Sequence, residues 1–296
     1  MRYAITGATG HIGQRIAELL LVKKMSVRVV GRSAEKLKSL VAAGAEACVG
    51  DVEDKAFMTR VFDKVDAVFT MIPPNPQAED FRAYQNRVGL SIAHAVKKAG
   101  VTRIVNLSSQ GAHLQSGTGP IAGLYDQEQR LNGMTTVSVV HLRPTFFMEN
   151  LMMNIGLIKL QNINGSPMKG DLMFPMIATR DIAAAAVDCI LETAFAGNTV
   201  RDLLGERDLS MNQVTRILGN AIGKPDLTYV QFPYEAAEKA MVDMGLSKNL
   251  ASLYIEMHRA FNEGLIMTGL KRTTSNTTKT SIEAFARDFA GAYKRA

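Results

Sequence analysis

The stretch Gly7-Ala8-Thr9-Gly10-His11-Ile12-Gly13 constrains the fold of this chain more than any other, because of what flanks it. Tyr3 to Thr6 before it reads as a short β-strand. After it, Ile12, Ile16, Leu19 and Leu20 recur on one helical face. Glycines between a strand and an amphipathic helix permit a tight turn and let the backbone approach a pyrophosphate. They also let the helix pack closely on the strand, while the helix N-terminus offers free amides and a partial positive charge. The context points to a dinucleotide site opening a βαβ unit. Gly7, Thr9, Gly10, His11, Ile12 and Gly13 are the expected contacts.

The rest of the first half keeps that rhythm. Strand patterns at Ser26–Gly31, Ala45–Val49, Ala67–Met71, Arg103–Ser108 and Thr136–Leu142 alternate with helical periodicity, as in a parallel sheet built from crossovers. A longer helix is expected from Asp80 to Ala99, with Gly100 as its left-handed cap. Six such strands predict an α/β fold with a doubly wound parallel sheet, whose ligand lies beyond the carboxyl ends of the strands. After Leu142 helical segments dominate. Asp181–Leu191 reads as a helix covering the sheet and Val200–Leu204 as a late edge strand, while Ser210/Gln213 and Thr280/Glu283 have capping-box spacing. Thr268–Lys279 reads as an exposed loop. Residues 1–146 are thus expected to form the dinucleotide-binding domain, with 177–205 returning to it. Residues 147–176 and 206–296 are expected to form a mostly helical cap that binds substrate.

The ends of the strands predict how the dinucleotide is held. Sites for NAD usually place a carboxylate at the end of the second strand to take the ribose hydroxyls. Here that strand ends Val30-Gly31-Arg32-Ser33. Arg32 can instead form a charge-assisted fork with a 2′-phosphate, assisted by Ser33 and Lys36, so NADP(H) is expected over NAD(H). Asp51 either accepts from the adenine amino group, with Val52 against the ring, or caps the next helix. Thr70, Met71, Ile72 and Pro73 end the fourth strand at the rim expected for the nicotinamide half. Pro144, Thr145, Phe146 and Phe147 follow the sixth strand and can meet the carboxamide.

Composition narrows the partners. The net charge of +6 is not gathered into a basic stripe with interleaved aromatics, and there is no Trp, so nucleic acid is not an expected partner. The distant Cys48 and Cys189 read as free thiols of a reducing compartment. No apolar run reaches membrane length and six residues precede the glycine loop, so a cytoplasmic protein without membrane contact is expected.

The glycine loop, Arg32, Asn86, Val105-Asn106-Leu107-Ser108-Ser109, Arg143-Pro144 with Phe147-Met148-Glu149-Asn150, Ile177–Ile182 and Leu204-Gly205 together resemble the atypical short-chain dehydrogenase/reductases, and among them the NmrA-like family. The resemblance spans nearly the whole chain. It implies an extended Rossmann fold with a small C-terminal substrate subdomain, and a cofactor role for Asn86 and Ser108. Members include NADPH-dependent quinone and azo-dye reductases and catalytically idle proteins that sense the NADP redox state and regulate a partner. One departure matters. Ordinary members of the superfamily carry a Tyr-x-x-x-Lys pair that relays a proton to a carbonyl. None of the seven tyrosines here has Lys four residues on. The position four before Glu128, Lys in many relatives, is Leu124.

Chemistry that needs little acid–base help remains. A quinone-like or azo acceptor takes hydride readily, so positioning alone could suffice, making a small apolar or aromatic electron acceptor the expected partner. Tyr125, Ser108 and His113 are the candidates to donate a hydrogen bond or a proton. Phe146, Phe147, Met148, Met152, Met153, Met173, Phe174 and Met176 supply adaptable apolar material for an acceptor pocket or for the core of the cap. No HExxH or CxxC spacing occurs, so no metal is expected. The competing expectation is a non-enzymatic NADP-binding redox sensor acting on a protein partner. A homodimer is also left open.

Overall fold

A computed structural model describes residues 1–193 and 196–296; Ala194 and Phe195, inside the 177–205 stretch, lie outside the described residues. Among the described residues the sheet strands are β1 (Arg2–Ile5), β2 (Ser26–Gly31), β3 (Glu46–Val49), β4 (Ala67–Thr70), β5 (Arg103–Leu107), β6 (Ser138–Pro144) and β10 (Asn198–Leu203). They lie in the order β10-β6-β5-β4-β1-β2-β3 and every neighbouring pair is parallel. The order reverses between β1 and β4, where a doubly wound sheet opens a crevice at its carboxyl edge.

Both faces of the sheet are covered, which explains the near-continuous apolar strands. On one face Ile16 and Leu20 of α1 (His11–Val22), Leu37 and Leu40 of α2 (Ala34–Ala42), and Ile182, Ala186 and Ile190 of α7 (Thr179–Leu191) pack on Ile5, Val29 and Leu142. The opposite face holds Met58 and Phe62 of α3 (Lys55–Phe62), Val88 and Ile92 of α4 (Phe81–Ala99), and Leu131 of α5 (Ala122–Asn132). The Asp80 carboxylate accepts from the Ala83 amide to start α4, and Gly100 ends it at φ +68°, as the sequence predicts.

The cap has its own core of Met148, Leu151, Phe174, Met176, Val214, Leu218, Phe261, Phe285 and Phe289. It is less purely helical than expected. Besides α6 (Ile155–Gln161), α8 (Met211–Ala221), α9 (Tyr234–Asp243), α10 (Lys248–Asn262) and α11 (Ile282–Arg295), it contains β8 (Ile163–Ser166) paired with β12 (Thr228–Gln231). A three-stranded sheet of β11 (Asp208–Leu209), β9 (Phe174–Ile177) and β7 (Phe146–Phe147) ties it to the end of β6. Strands of two to four residues, one holding Asn164-Gly165 and another Pro175, are too short and too irregular for a period of two to register.

Ser210 and Gln213 form the capping box that their spacing predicts. The second box is displaced by one residue. Ser281 caps α11 through the Ala284 amide, whereas Thr280 donates through both its amide and its hydroxyl to Asp181 and so ties α11 to α7. The 268–279 loop lacks helix or strand, yet Thr277 bridges to Leu204 and extends the end of β10. No helix of the described residues is long and apolar enough to cross a membrane.

Candidate functional site

The glycine loop lies at the crevice. Gly7 stands at φ +66°, and a Cβ there would lie 2.2 Å from the sulfur of Met71, so the side chain just past β4 closes over the loop. At Gly13 a Cβ would lie 2.4 Å from the Gly7 carbonyl oxygen, so α1 can pack on β1 only without one. Gly10 is exposed and forms the N-cap of α1, which has no side-chain cap. The amides of His11, Ile12 and Gly13 therefore take no partner among the described residues, and no acidic side chain occupies the first turn. A helix start of this kind attracts an anion. Thr9 and His11 are exposed beside it, whereas the Ile12 side chain is buried in the core and can offer only its amide.

Arg32 and Asp51 follow the ends of the adjacent strands β2 and β3, one residue past the Gly31 carbonyl and the Gly50 amide that donates to it. Both are exposed, and Arg32 makes no ion pair among the described residues. Ser33 caps α2 by accepting from the Lys36 amide, leaving its hydroxyl proton and the exposed Lys36 ammonium free to turn outward. Asp51 is not the cap of the next helix, since Asp54 caps α3 while Asp51 accepts from the Glu53 amide in a local turn. Val52 is buried against the α3 core.

Tyr84, which no motif or spacing singles out, supports this end of the crevice. Its hydroxyl donates to the Pro73 carbonyl (3.0 Å), and Arg87 stacks over its ring while pairing with Glu53 (2.7 Å). Burial, followed by the Glu53 and Asp51 carboxylates and opposed by Arg32 and Arg87, pushes the Tyr84 phenol up to about 12. The loop after β4 is thereby fixed. Ile72 packs beside the α3–α4 core, and the Met71 amide donates to the Thr6 hydroxyl (2.9 Å).

A polar ladder crosses the sheet interior at the next level. Thr70 donates to Asn106 Oδ1 (3.1 Å), the Asn106 amide nitrogen lies 3.2 Å from His141 Nδ1, and His141 Nε2 lies 3.0 Å from Asn132 Oδ1. The three are consecutive register partners on β4, β5 and β6. Burial lowers the His141 pKa, and a neutral ring with its proton on Nε2 satisfies every contact. Thr70 thus turns into the sheet rather than toward the rim.

Beyond β5, Ser108 donates to Glu128, which also takes bonds from Arg143 Nε (2.9 Å) and Nη2 (2.5 Å). Glu128 is 1% exposed and the Arg143 side chain 15%. With its single proton committed to that carboxylate, Ser108 can offer only lone pairs to a ligand in this arrangement. Tyr125 lies one helical turn before Glu128, half-buried and without a hydrogen-bond partner among the described residues. His113 is exposed and lines a cleft of about 200 Å³ with Gln110, Arg143, Asp202 and the 268–270 turn of the cap.

The Asn86 side chain is engaged between two helices. Its amide donates to Asp126 (3.0 Å) and accepts from Arg130 (2.5 Å), and Asp126 is clamped by Arg82, so this network joins α4 to α5. Of the segment after β6, Pro144 accepts from the Gln110 amide (3.0 Å), Thr145 bonds the Leu203 carbonyl, and Phe147 packs against the sheet core. Phe146 remains half-buried at the cap boundary, edge-on to Phe174 (5.6 Å). The Met and Phe set is mainly core. Met148, Phe174 and Met176 are fully enclosed, whereas Met153 and Met173 face solvent. Glu149 accepts from both the amide and the hydroxyl of Thr179, anchoring α7. Among the described residues no group of three or more His, Cys, Asp or Glu could hold a metal.

Glycine cradle, bare helix start and switch-point crevice define a Rossmann-type α/β protein with a cap over the carboxyl edge. The chain belongs to the NmrA-like family, whose model matches residues 2–285. It is 30% identical over 294 residues to the NAD(P)H azoreductase of Xenophilus azovorans, covering 99% of this chain and 98% of that protein. It is 27% identical to quinone oxidoreductase 2 of Escherichia coli, over 88% of each chain. The NADPH complex of the E. coli NADPH-dependent quinone oxidoreductase superposes with a TM-score of 0.82 at 21% identity, covering 97% of this chain and 99% of the other. The triphenylmethane reductase of Citrobacter reaches 0.76 at 17% identity, covering 98% and 100%.

Proposed function

We propose that this protein is an NAD(P)H-dependent oxidoreductase that prefers NADP(H) and passes hydride directly to a quinone-like or azo acceptor. The observation that carries the reading is the combination of a bare, glycine-lined helix start with an exposed Arg32, just past β2, that makes no ion pair among the described residues. The loop residues Gly7, Thr9, Gly10, His11 and Gly13 would hold the pyrophosphate through backbone amides. Arg32, with Ser33 and Lys36, would take a 2′-phosphate, and Asp51 the adenine edge. Met71, Ile72, Pro73 and Pro144 to Phe146 would line the nicotinamide half. When bound, the dinucleotide supplies hydride; the chain positions the acceptor and excludes water.

The missing Tyr–Lys pair and the commitment of the Ser108 proton to Glu128 support an acceptor that needs no strong acid from the protein. Tyr125 and His113 would contribute a hydrogen bond at most. The test is to mix the purified protein with NADPH and a panel of quinones, azo dyes and aldehydes, following dinucleotide oxidation. Turnover of quinones or azo dyes with aldehydes inert is expected. Tight NADPH binding without turnover of any acceptor would refute the enzyme and favour a redox sensor.

A further inference from the structure

The cap carries an apolar stripe that its own fold leaves in solvent. Met153 lies in a 3-10 segment (Met148–Asn154), and Leu157 and Leu160 follow on α6 at the i, i+4, i+7 spacing of one helical face. Met153 is 80% exposed, Leu157 is half-buried, and Leu160, at 85%, is the most exposed large apolar side chain among the described residues. Gly156 between them is exposed, with open space where a Cβ would stand. The opposite face, of Leu151, Ile155 and Ile158, is buried in the cap core, so the segment is pinned by one side and presents the other outward. The rim of the stripe is cationic. Lys159 is exposed, and its ammonium lies over the Tyr293 ring (5.2 Å), which brings the last turn of α11, with the exposed Lys294 and Arg295, alongside. Residues 150–170 contain two Lys and no Asp or Glu, and residues 289–295 contain no acidic residue either. The carboxylate nearest the end of α6 in the hydrogen-bond network, Asp226, accepts from Asn162.

We propose that this face docks the protein reversibly on an anionic lipid surface. Met153, Leu157 and Leu160 enter the boundary between headgroups and acyl chains, and Lys159, Lys294 and Arg295 meet lipid phosphates. Charge decides between the occupants such a stripe could take. A two-fold contact with a second copy would gather both sets of Lys159, Lys294 and Arg295 around one apolar patch, with no carboxylate from these stretches to pair them. An anionic surface turns the same cations into attraction. The seven residues of α6 are far too few to span a bilayer, so no run of membrane length marks the face in the sequence. Docking on a surface needs only a helix held rigidly by its other side. The inference stands independently of the reductase reading.

The chain has no Trp, so Leu160→Trp places a single reporter on the stripe. The full-length protein is titrated with vesicles of phosphatidylcholine alone and of phosphatidylcholine with an equal part of phosphatidylglycerol. With the anionic vesicles the Leu160→Trp emission should shift to the blue and become shielded from acrylamide. Val22→Trp, a reporter of similar exposure (82%) at the end of α1 and outside the stripe, should stay unchanged. In co-sedimentation the wild type should partition at least tenfold more strongly onto the anionic vesicles. That partition should fall at least tenfold in Met153→Ser/Leu160→Ser and in Lys294→Gln/Arg295→Gln, whose exposed positions leave the unfolding temperature near that of the wild type. Equal partition onto the two vesicles, or a Leu160→Trp emission that does not respond, overturns the proposal. So does anionic binding that survives Met153→Ser/Leu160→Ser, which would reduce it to diffuse attraction by the net charge. A concentration-dependent dimer that this same pair abolishes, without vesicle binding, would give the face to a second copy instead.

Discussion

Replacing Glu128 with Gln tests the buried anchor between α5 and β6. The glutamine keeps the volume and an oxygen for the Ser108 hydroxyl but leaves Arg143 without its counter-ion. Removing one partner of a buried pair costs about 3–5 kcal/mol, since the remaining charge stays desolvated. Arg143 reaches the cleft and keeps 15% of its side-chain exposure, which places the cost near the lower end, about 3 kcal/mol. An unfolding entropy of about 2.1 cal/mol/K per residue turns that into a fall in Tm of about 5 °C for a chain of this length. Calorimetry or urea unfolding at neutral pH measures it. The double variant Glu128→Gln/Arg143→Met should recover much of the loss, because it removes the stranded charge. A loss below about 1 kcal/mol, the range of a surface pair, would refute the buried-anchor argument, as would strict additivity of the two substitutions.

Gly13→Ala should raise the Kd for NADPH at least tenfold and cost about 1–3 kcal/mol of stability, because its Cβ would press on the Gly7 carbonyl; titration and thermal unfolding check both. Glu149→Ala should cost about 1–2 kcal/mol by uncapping α7 at Thr179, with little change in dinucleotide affinity. His141 has its pKa lowered by burial, so the unfolded chain binds a proton that the folded one refuses. Its contribution to stability is complete above the unfolded value of about 6.5 and is lost as pH falls from there through the folded pKa. The His141 ring signals should accordingly show no titration near pH 6.5, and His141→Asn should flatten the acid limb of the stability curve.

The architecture was largely legible because parallel strands buried on both faces leave apolar runs, and the glycine loop fixes where the first unit turns. Arg32 could be placed from sequence, since its position follows from the end of one strand. The residues around the ends of β5, β6 and β10 could not. Gln110 meets Asp202 across 92 positions of sequence, and Ser108, Glu128 and Arg143 come from a strand end, a helix and another strand. No local spacing records such contacts. Asn86 shows the converse, since a family resemblance points it to the cofactor while its hydrogen bonds to Asp126 and Arg130, which join α4 to α5, leave no mark in local spacing. The Met and Phe stretch stays open between pocket and core for a simpler reason, since an apolar side chain looks the same whether it lines a pocket or fills a core.

The account depends most on Arg32. Side-by-side titration of NADPH and NADH, with wild type and with Arg32→Asp, tests it directly. Charge-assisted bonds of about 1.5–3 kcal/mol correspond to roughly 10- to 150-fold tighter binding of NADPH. Arg32→Asp is expected to abolish or invert that preference. Equal affinity of the unmodified protein for the two dinucleotides, or a preference unchanged by Arg32→Asp, would contradict it.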